Sequence, residues 1–482
     1  MTRISLFTTL FAAVNYAVAA PWKGEVKKVD GATYQCKCYS DNSCWPTNAD
    51  WIPLNKTVGG ALQVAIPLGA PCHTSSENST VNLYSEAACA EIKASWLNEQ
   101  WLTDHPIASL WPLTPCTRGF YGRYVILAKT REHIKAGIDF ARERNLRFGS
   151  LIINTHSFKD VKFLKTYSGP GNWTGSAAVV GAGVQGRELF RQAFAQKPPV
   201  VIVGGECPTV GWAGGYIQGG GHGPLTSIYG MGADSVLSFE AVTVDGEYVT
   251  ADAKENPDLF WALKGGGPST FAVVVSITVK TFPEIPTAGT IININNTHTN
   301  DSAVLANHYV DNGILHIAPL VGPKMDERKL NEPNQNSIVG GRLFTRKDMN
   351  DDADEVADAI IFASSNPTKD RIGFSVGHIV DPGHGVPYAD NAINDKWRKS
   401  SSFVITNVIM SGLESWEEKK QLEDVQTNVI GKRFRDAGPD GATLLKIRNK
   451  WDPKGVLYTK TTPGTEDWDV LDQGTKLCKK AA

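Results

Sequence analysis

Between Val200 and Val279 glycines crowd between apolar runs at a density that limits how this chain can fold. The stretch opens Val200-Val201-Ile202-Val203-Gly204-Gly205. It then passes Cys207-Pro208-Thr209-Val210-Gly211, Gly214-Gly215 and Gly219-Gly220-Gly221-His222-Gly223, and later reaches Gly265-Gly266-Gly267. Glycine takes positive φ cheaply, so such clusters mark backbone that turns sharply and passes close to another group. Turn-rich main chain presents rows of N–H donors, which suit a phosphate or a flat, electron-rich ring. The one cysteine of the stretch, Cys207, follows a glycine pair by two residues and precedes a proline, and it is the sharpest chemical marker in the chain.

Read in order, Gly205-Glu206-Cys207-Pro208-Thr209-Val210-Gly211, Gly214-Gly215, Gly219 to Leu225, Gly232-Ala233-Asp234, Asn256 to Gly267 and Phe271-Ala272-Val273-Val274 resemble the berberine-bridge branch of the FAD-linked oxidases, in the vanillyl-alcohol-oxidase fold group. The likeness runs through residues 30–283 and the C-terminal tail. It implies an α+β fold, with a two-part FAD-binding domain of the vanillyl-alcohol-oxidase type plus an antiparallel-sheet substrate domain. It also implies FAD bonded covalently to Cys207, with Gly204, Gly205, Thr209, Val210, Gly211, Gly214, Gly215, Gly219, Gly220, Gly221, Gly265, Gly266 and Val273 lining the cofactor. A small-molecule substrate and molecular oxygen, as electron acceptor, are the partners this implies. A thioether would prevent loss of FAD and draw electron density from its ring, and it requires a reachable thiol.

With 482 residues the chain can build two domains with full cores. Hydrophobic residues make up 41%, charged residues 20%, and the net charge is −2, so neither nucleic acid nor an anionic membrane is implied as a partner. Residues 1–20 read as a secretory signal, with Arg3 before an apolar segment from Ile4 and a small-residue site Ala17-Val18-Ala19. No apolar run approaches the roughly 18 to 20 residues that a spanning helix needs. Cys36, Cys38, Cys44, Cys72, Cys89 and Cys116 lie in the first quarter and Cys478 near the end. In an oxidising compartment these are disulfides whose pairing is unreadable, and if Cys207 holds a cofactor one of the seven is left over. Cys36-Lys37-Cys38 is too tight for the usual zinc spacing, so no metal is expected. Sequons at Asn55, Asn78, Asn172, Asn295 and Asn300 suit a glycosylated, exported protein.

The expected organisation is a signal at 1–20, a cysteine-rich region at 21–119, the FAD-binding domain at 120–283, the substrate domain at 284–438 and a segment at 439–482 returning to the FAD domain. Tyr124 to Leu127 predicts a buried strand, Glu132 to Arg144 a helix, and a second strand begins near Leu146. Family members usually follow this strand with a glycine-histidine loop carrying a second flavin link. Here Arg147-Phe148-Gly149 runs straight on, and His156 reads as a strand-end histidine rather than a displaced flavin ligand. Gly181, Gly183 and Gly186, between a strand and a helix, match a nicotinamide fingerprint on paper, but they sit mid-chain and lead into the cysteine motif. Asp245-Gly246 predicts a hairpin, and Asn256-Pro257 a capped helix start. Phe282-Pro283 to Pro286 marks a domain break. Beyond it, Ser337 to Phe344 reads as a strand, and Asp352 to Ala363 and Trp416 to Ile430 as helices.

Candidate catalytic residues are His222, Tyr229 and Tyr458. His222 reaches flavin or substrate, or else bonds a nearby carbonyl. The Tyr-x-Asn-Glu run that supplies a base in some relatives is missing before Leu444. The N-terminal layout around Cys36-Lys37-Cys38 and Cys44-Trp45-Pro46 looks like fungal secondary-metabolite enzymes, which implies oxidative ring closure in alkaloid synthesis. The alternatives are an oxidase of small alcohols or sugars, a flavin-fold protein inactive through the missing loops, and a nicotinamide-binding protein.

Overall fold

The computed structural model describes residues 24–74, 83–96, 98–105, 122–146, 150–205, 207–285, 289–293, 314–318, 337–351, 353–364, 373–383, 385, 388, 390–410, 414–430, 468–471 and 476–480. Strands β1 (Val26–Val29) and β2 (Ala32–Cys36) form a hairpin whose turn, Asp30-Gly31, has positive φ at both positions, the geometry that matches strand twist. Helix α1 (Asn48–Thr57) starts at a Thr47–Asp50 capping box and buries Trp51 and Leu54. Strand β3 (Leu62–Val64) and helices α2 (Glu86–Ser95) and α3 (Glu99–Thr103) follow, with Ser85 and Asn98 side chains capping the two helices.

Strand β4 (Tyr124–Leu127), helix α4 (Arg131–Glu143) and strand β5 (Leu151–Asn154) make a β-α-β unit. Here β5 lies parallel to β4, and β3 lies antiparallel on the other edge. The helix buries Ile134, Ile138, Phe140 and Ala141, and Gly137 lets it lie directly on Ile126 and Ile153. The second strand starts five residues later than the sequence suggests. Asn145 turns left-handed (φ 50°), and Leu146 spends its apolar side chain in the core as a single bridge to Cys38.

A five-stranded sheet dominates the next part. Its elements in chain order are β6 (Val161–Leu164), β7 (Ala177–Gly181), helix α5 (Gly186–Phe194), β8 (Val200–Val201), helix α6 (Thr226–Tyr229), β9 (Val236–Val242), β10 (Tyr248–Asp252), helix α7 (Pro257–Leu263), β11 (Val273–Lys280) and β12 (Phe282–Pro283). The sheet order is β10-β9-β11-β7-β6, antiparallel throughout, and β12 pairs with β8 beside it. The hairpin at Asp245-Gly246 forms as the sequence predicts, with Gly246 at φ 78°. Asn256 precedes α7 in a left-handed conformation. Its amide donates to the Thr250 carbonyl instead of capping the helix, because the turn out of β10 claims that side chain first.

Downstream, β13 (Gly289–Asn293) pairs with β14 (Ile314–Ala318). Then come β15 (Ser337–Thr345), helices α8 (Arg346–Asp351) and α9 (Ala353–Ser364), β16 (Gly373–Ile379), helix α10 (Lys396–Lys399), β17 (Ser400–Ile409) and helix α11 (Trp416–Asp424) with a π-helical extension over Val425–Ile430. These give an antiparallel sheet of order β15-β17-β16 whose Phe344, Val404 and Val408 pack under Val356, Ala359 and Leu422. The last strands, β18 (Trp468–Leu471) and β19 (Lys476–Lys480), join the first hairpin in the order β1-β2-β19-β18. Cys36–Cys478, Cys38–Cys44 and Cys72–Cys89 are disulfides, while Cys116 lies outside the described residues.

Candidate active site

The glycines divide by what faces them. A side chain at Gly204 would strike the Phe190 ring, and one at Gly223 the Gly204 carbonyl. A Cβ at Gly205, Gly221 or Gly232 would lie 3.0, 2.7 or 2.6 Å from the ring of Tyr216, and one at Gly265 would lie 2.6 Å from Ile393. These positions make room for neighbours inside the protein, and Gly220, Gly221 and Gly265 also need positive φ. Gly211, Gly214 and Gly215 differ, since a Cβ there would meet nothing within 4 Å. Gly211 precedes a π-helical turn, Trp212–Tyr216, that contains Gly214 and Gly215, and their backbone faces open space. Gly219 packs on the Gly215 carbonyl, and Gly266 donates to the Ala262 carbonyl.

Cys207, shortly before Gly211 in the chain, is exposed and lies outside the three disulfides. Its loop is anchored from behind. The Gly186 and Arg187 amides donate to the carbonyls of Val210 and Pro208, and the Gln185 side-chain amide donates to that of Thr209 (2.8 Å). The start of α5 is therefore filled by protein carbonyls. Gly181 and Gly183 press against Phe158 and His156 main chain, and β7 runs antiparallel to both neighbours. The nicotinamide fingerprint fails on all three counts, since that motif needs a parallel β-α-β unit and open amides.

The same short segment as the open glycines holds buried polar atoms without partners among the described residues: Trp212 Nε1, Tyr216 Oη and Gln218 Oε1. Burial pushes the Tyr216 phenol far above its ordinary range, so it stays protonated. Buried polar atoms are normally satisfied, and three orphans in one short segment mark a place where a ligand belongs.

A buried ion pair closes the far side. Arg398 holds Asp234 with two bonds, 2.6 and 2.7 Å, and the two side chains are 6% and 2% exposed. Asn391 (2.7 Å) and the Met231 amide (2.8 Å) donate to the same carboxylate. Lys264, buried just before the glycine triplet, is pulled down to about 8 by burial, partly offset by the Asp234 charge.

The FAD binding domain family matches residues 123–252, which hold β4 to β10 and every glycine of the open face. FAD-linked oxidoreductase ZEB1 of Gibberella zeae is 28% identical over 92% of this chain and 95% of its own length. The VAO-type flavoprotein MtVAO615 of Myceliophthora thermophila superposes with a TM-score of 0.76 at 25% identity, over 92% of this chain and 100% of that one. The chain is an FAD-linked oxidoreductase of the vanillyl-alcohol-oxidase fold group. Berberine bridge enzyme from Eschscholzia californica, at 13% identity and a TM-score of 0.55, shares the fold. The alignment with ZEB1 runs over 554 positions against 482 residues here, so that relative carries stretches with no counterpart in this chain.

FAD is the cofactor of this oxidoreductase, and the residues present fit it: an exposed thiol, side-chain-free backbone facing open space, and orphaned donors and an acceptor in the same segment. Val210 is 40% exposed beside Cys207, whereas Val273 lies in the core with Ile126 and Val242. His222 stacks on Trp397 (5.2 Å, 21°) and meets Phe403 and His378 edge-on. Tyr229 lies flat on Phe282 at 3.8 Å, in a small apolar cluster with Val201 and Val203. His156 sits at a strand end, 3.6 Å from Asp104. Tyr458, Asn78, Asn295 and Asn300 lie outside the described residues. Asn172 is exposed in a left-handed turn, and the Asn55 side-chain oxygen Oδ1 accepts from the Leu62 amide. Tyr216, Trp397, Lys264 and the Asp234–Arg398–Asn391 set escaped the sequence reading. The Gly232-Ala233-Asp234 turn was its only trace, because Arg398 lies 164 positions away.

Proposed function

We propose that this oxidoreductase is an exported oxidase that holds FAD through Cys207 and oxidises a small organic substrate with molecular oxygen as acceptor. The observation that carries the reading is the exposed Cys207 thiol beside the open backbone at Gly211, Gly214 and Gly215. The three disulfides support export, since such bonds persist in oxidising compartments. Among the described residues no helix is long and apolar enough to cross a membrane. The specific reaction we assign is oxidative ring closure in alkaloid synthesis, as a chanoclavine-I synthase performs, with the likeness of the N-terminal layout as its support. The flavin and substrate halves divide near Pro283, and Asn172 is the sequon best exposed to carry a glycan.

Bound FAD supplies a two-electron acceptor. The chain supplies position: carbonyls held by α5 fix the Cys207 loop, and a smooth glycine face admits a flat ring. Tyr216 offers a neutral phenol as donor, and the buried Arg398–Asp234 pair seals the junction with the substrate sheet. His222 is the titratable group we assign to proton transfer on the substrate side, through a ring nitrogen.

Acid precipitation of the purified protein tests the tether. Yellow colour stays in the wild-type pellet and moves to the supernatant in Cys207→Ala. Colour held equally firmly in the variant refutes the bond, and a colourless protein in both fractions removes the flavin reading. Peroxide release from prenylated tryptophan derivatives, compared with alcohols and sugars, decides the substrate class.

A further inference from the structure

Segment 391–398 does two things at once. Ile393 fills the space above Gly265, the Ala392 amide donates to the Trp261 carbonyl, and Arg398 grips Asp234. The same segment presents Trp397, from the four-residue α10, to the His222 ring at 5.2 Å and to Phe403 at 5.1 Å. His378 and Phe403 are direct cross-strand partners, so rings from three separate stretches converge. Each of the four rings is half-buried, leaving part of it accessible. The sheet face beside them is opposite the one on which Val404 and Val408 pack under the helices, and its register places Leu343 and Ile405 on it. Val376, 40% exposed, lies on the strand of His378 two residues away and pairs with Ile405.

We propose that Trp397 is a specificity-determining residue. With His222 and Phe403 it forms an aromatic wall that selects a substrate containing a flat, unsaturated ring, and Arg398, locked to Asp234, is the positioning residue that aims it. The inference rests on the oxidase reading for the identity of the site, and it adds the shape of what enters. A wall of ring faces and edges with aliphatic neighbours rewards planarity, because offset and edge-on ring contacts add attraction beyond buried area. A saturated ring of equal size and charge gains the area term alone.

Calorimetric titration of the purified protein with 2-naphthoate and with decahydro-2-naphthoate tests this without needing turnover or flavin colour. The flat acid binds about tenfold more tightly to the wild type. Trp397→Leu brings the two affinities together, Trp397→Phe keeps most of the preference, and Arg398→Gln narrows it in protein that remains folded by circular dichroism. Equal binding of both acids to the wild type, binding of neither, or an undiminished preference in Trp397→Leu overturns the proposal. If Arg398→Gln fails to fold, the Trp397 pair still decides. A colourless protein that keeps the preference separates failure of the flavin reading from failure of this one.

Discussion

Lys264 shows how a single side chain can report on its surroundings. Burial lowers it from 10.5 to about 8, with the Asp234 charge pulling the other way. Between those values the unfolded chain binds more protons than the folded one, so stability increases as pH rises from 8 towards 10.5, by about 3 kcal/mol. Urea unfolding at pH 7, 8.5 and 10 will show this rise in the wild type and a smaller one in Lys264→Met. Identical slopes would mean that Lys264 titrates in the folded protein as it does in the unfolded chain, as a solvated amine. At the same scale, Arg398→Ala strands Asp234 in the interior. The expected loss is about 3–5 kcal/mol, read from the urea midpoint, because an uncompensated buried charge is worse than no charge.

At the scale of elements, the glycine loops make a sharper test than any one residue. Gly215 faces open space, so Gly215→Ala leaves thermal stability within about 0.5 kcal/mol while weakening flavin retention in a Cys207→Ala background. Gly221 sits at φ 72° with the Tyr216 ring 2.7 Å from any added Cβ, so Gly221→Ala destabilises the apoprotein by about 1–3 kcal/mol. Melting curves and absorbance of the two variants separate the roles, and equal destabilisation would contradict the division. The presence of these loops was legible in sequence, since clustered glycine has few other uses. Which glycine serves a ligand and which serves a neighbour was not, because the neighbours Phe190, Tyr216 and Ile393 reach them through the fold. Local signals fared likewise. The Asp245-Gly246 hairpin and α4 formed where predicted, whereas Leu146 and Asn256 were claimed by contacts with Cys38 and Thr250.

Across the whole molecule, the α+β architecture was legible through the ordered motif string, but the contacts joining its parts were not. Asp234 with Arg398, and His222 with Trp397, pair residues separated by most of the substrate sheet. The Cys36–Cys478 disulfide spans 442 positions, and Lys476 beside it binds Glu25 and Asp41. Burial alone would lower Lys476, but the hydrogen bonds it donates to Asp41 and Glu25 outweigh that and raise it. Replacing both Cys36 and Cys478 by Ser should cost about 2–5 kcal/mol in chemical unfolding, more than opening the short Cys38–Cys44 loop.

The same sheet sets an order of events during synthesis. Strand β2 emerges early, yet the edge it needs is β19, which includes Cys478. The first hairpin therefore gains its edge partner, and Cys36 its disulfide partner, only once the chain has been made as far as Cys478. Any premature stop codon ahead of Lys476 leaves that hairpin an open template for a stranger's strand.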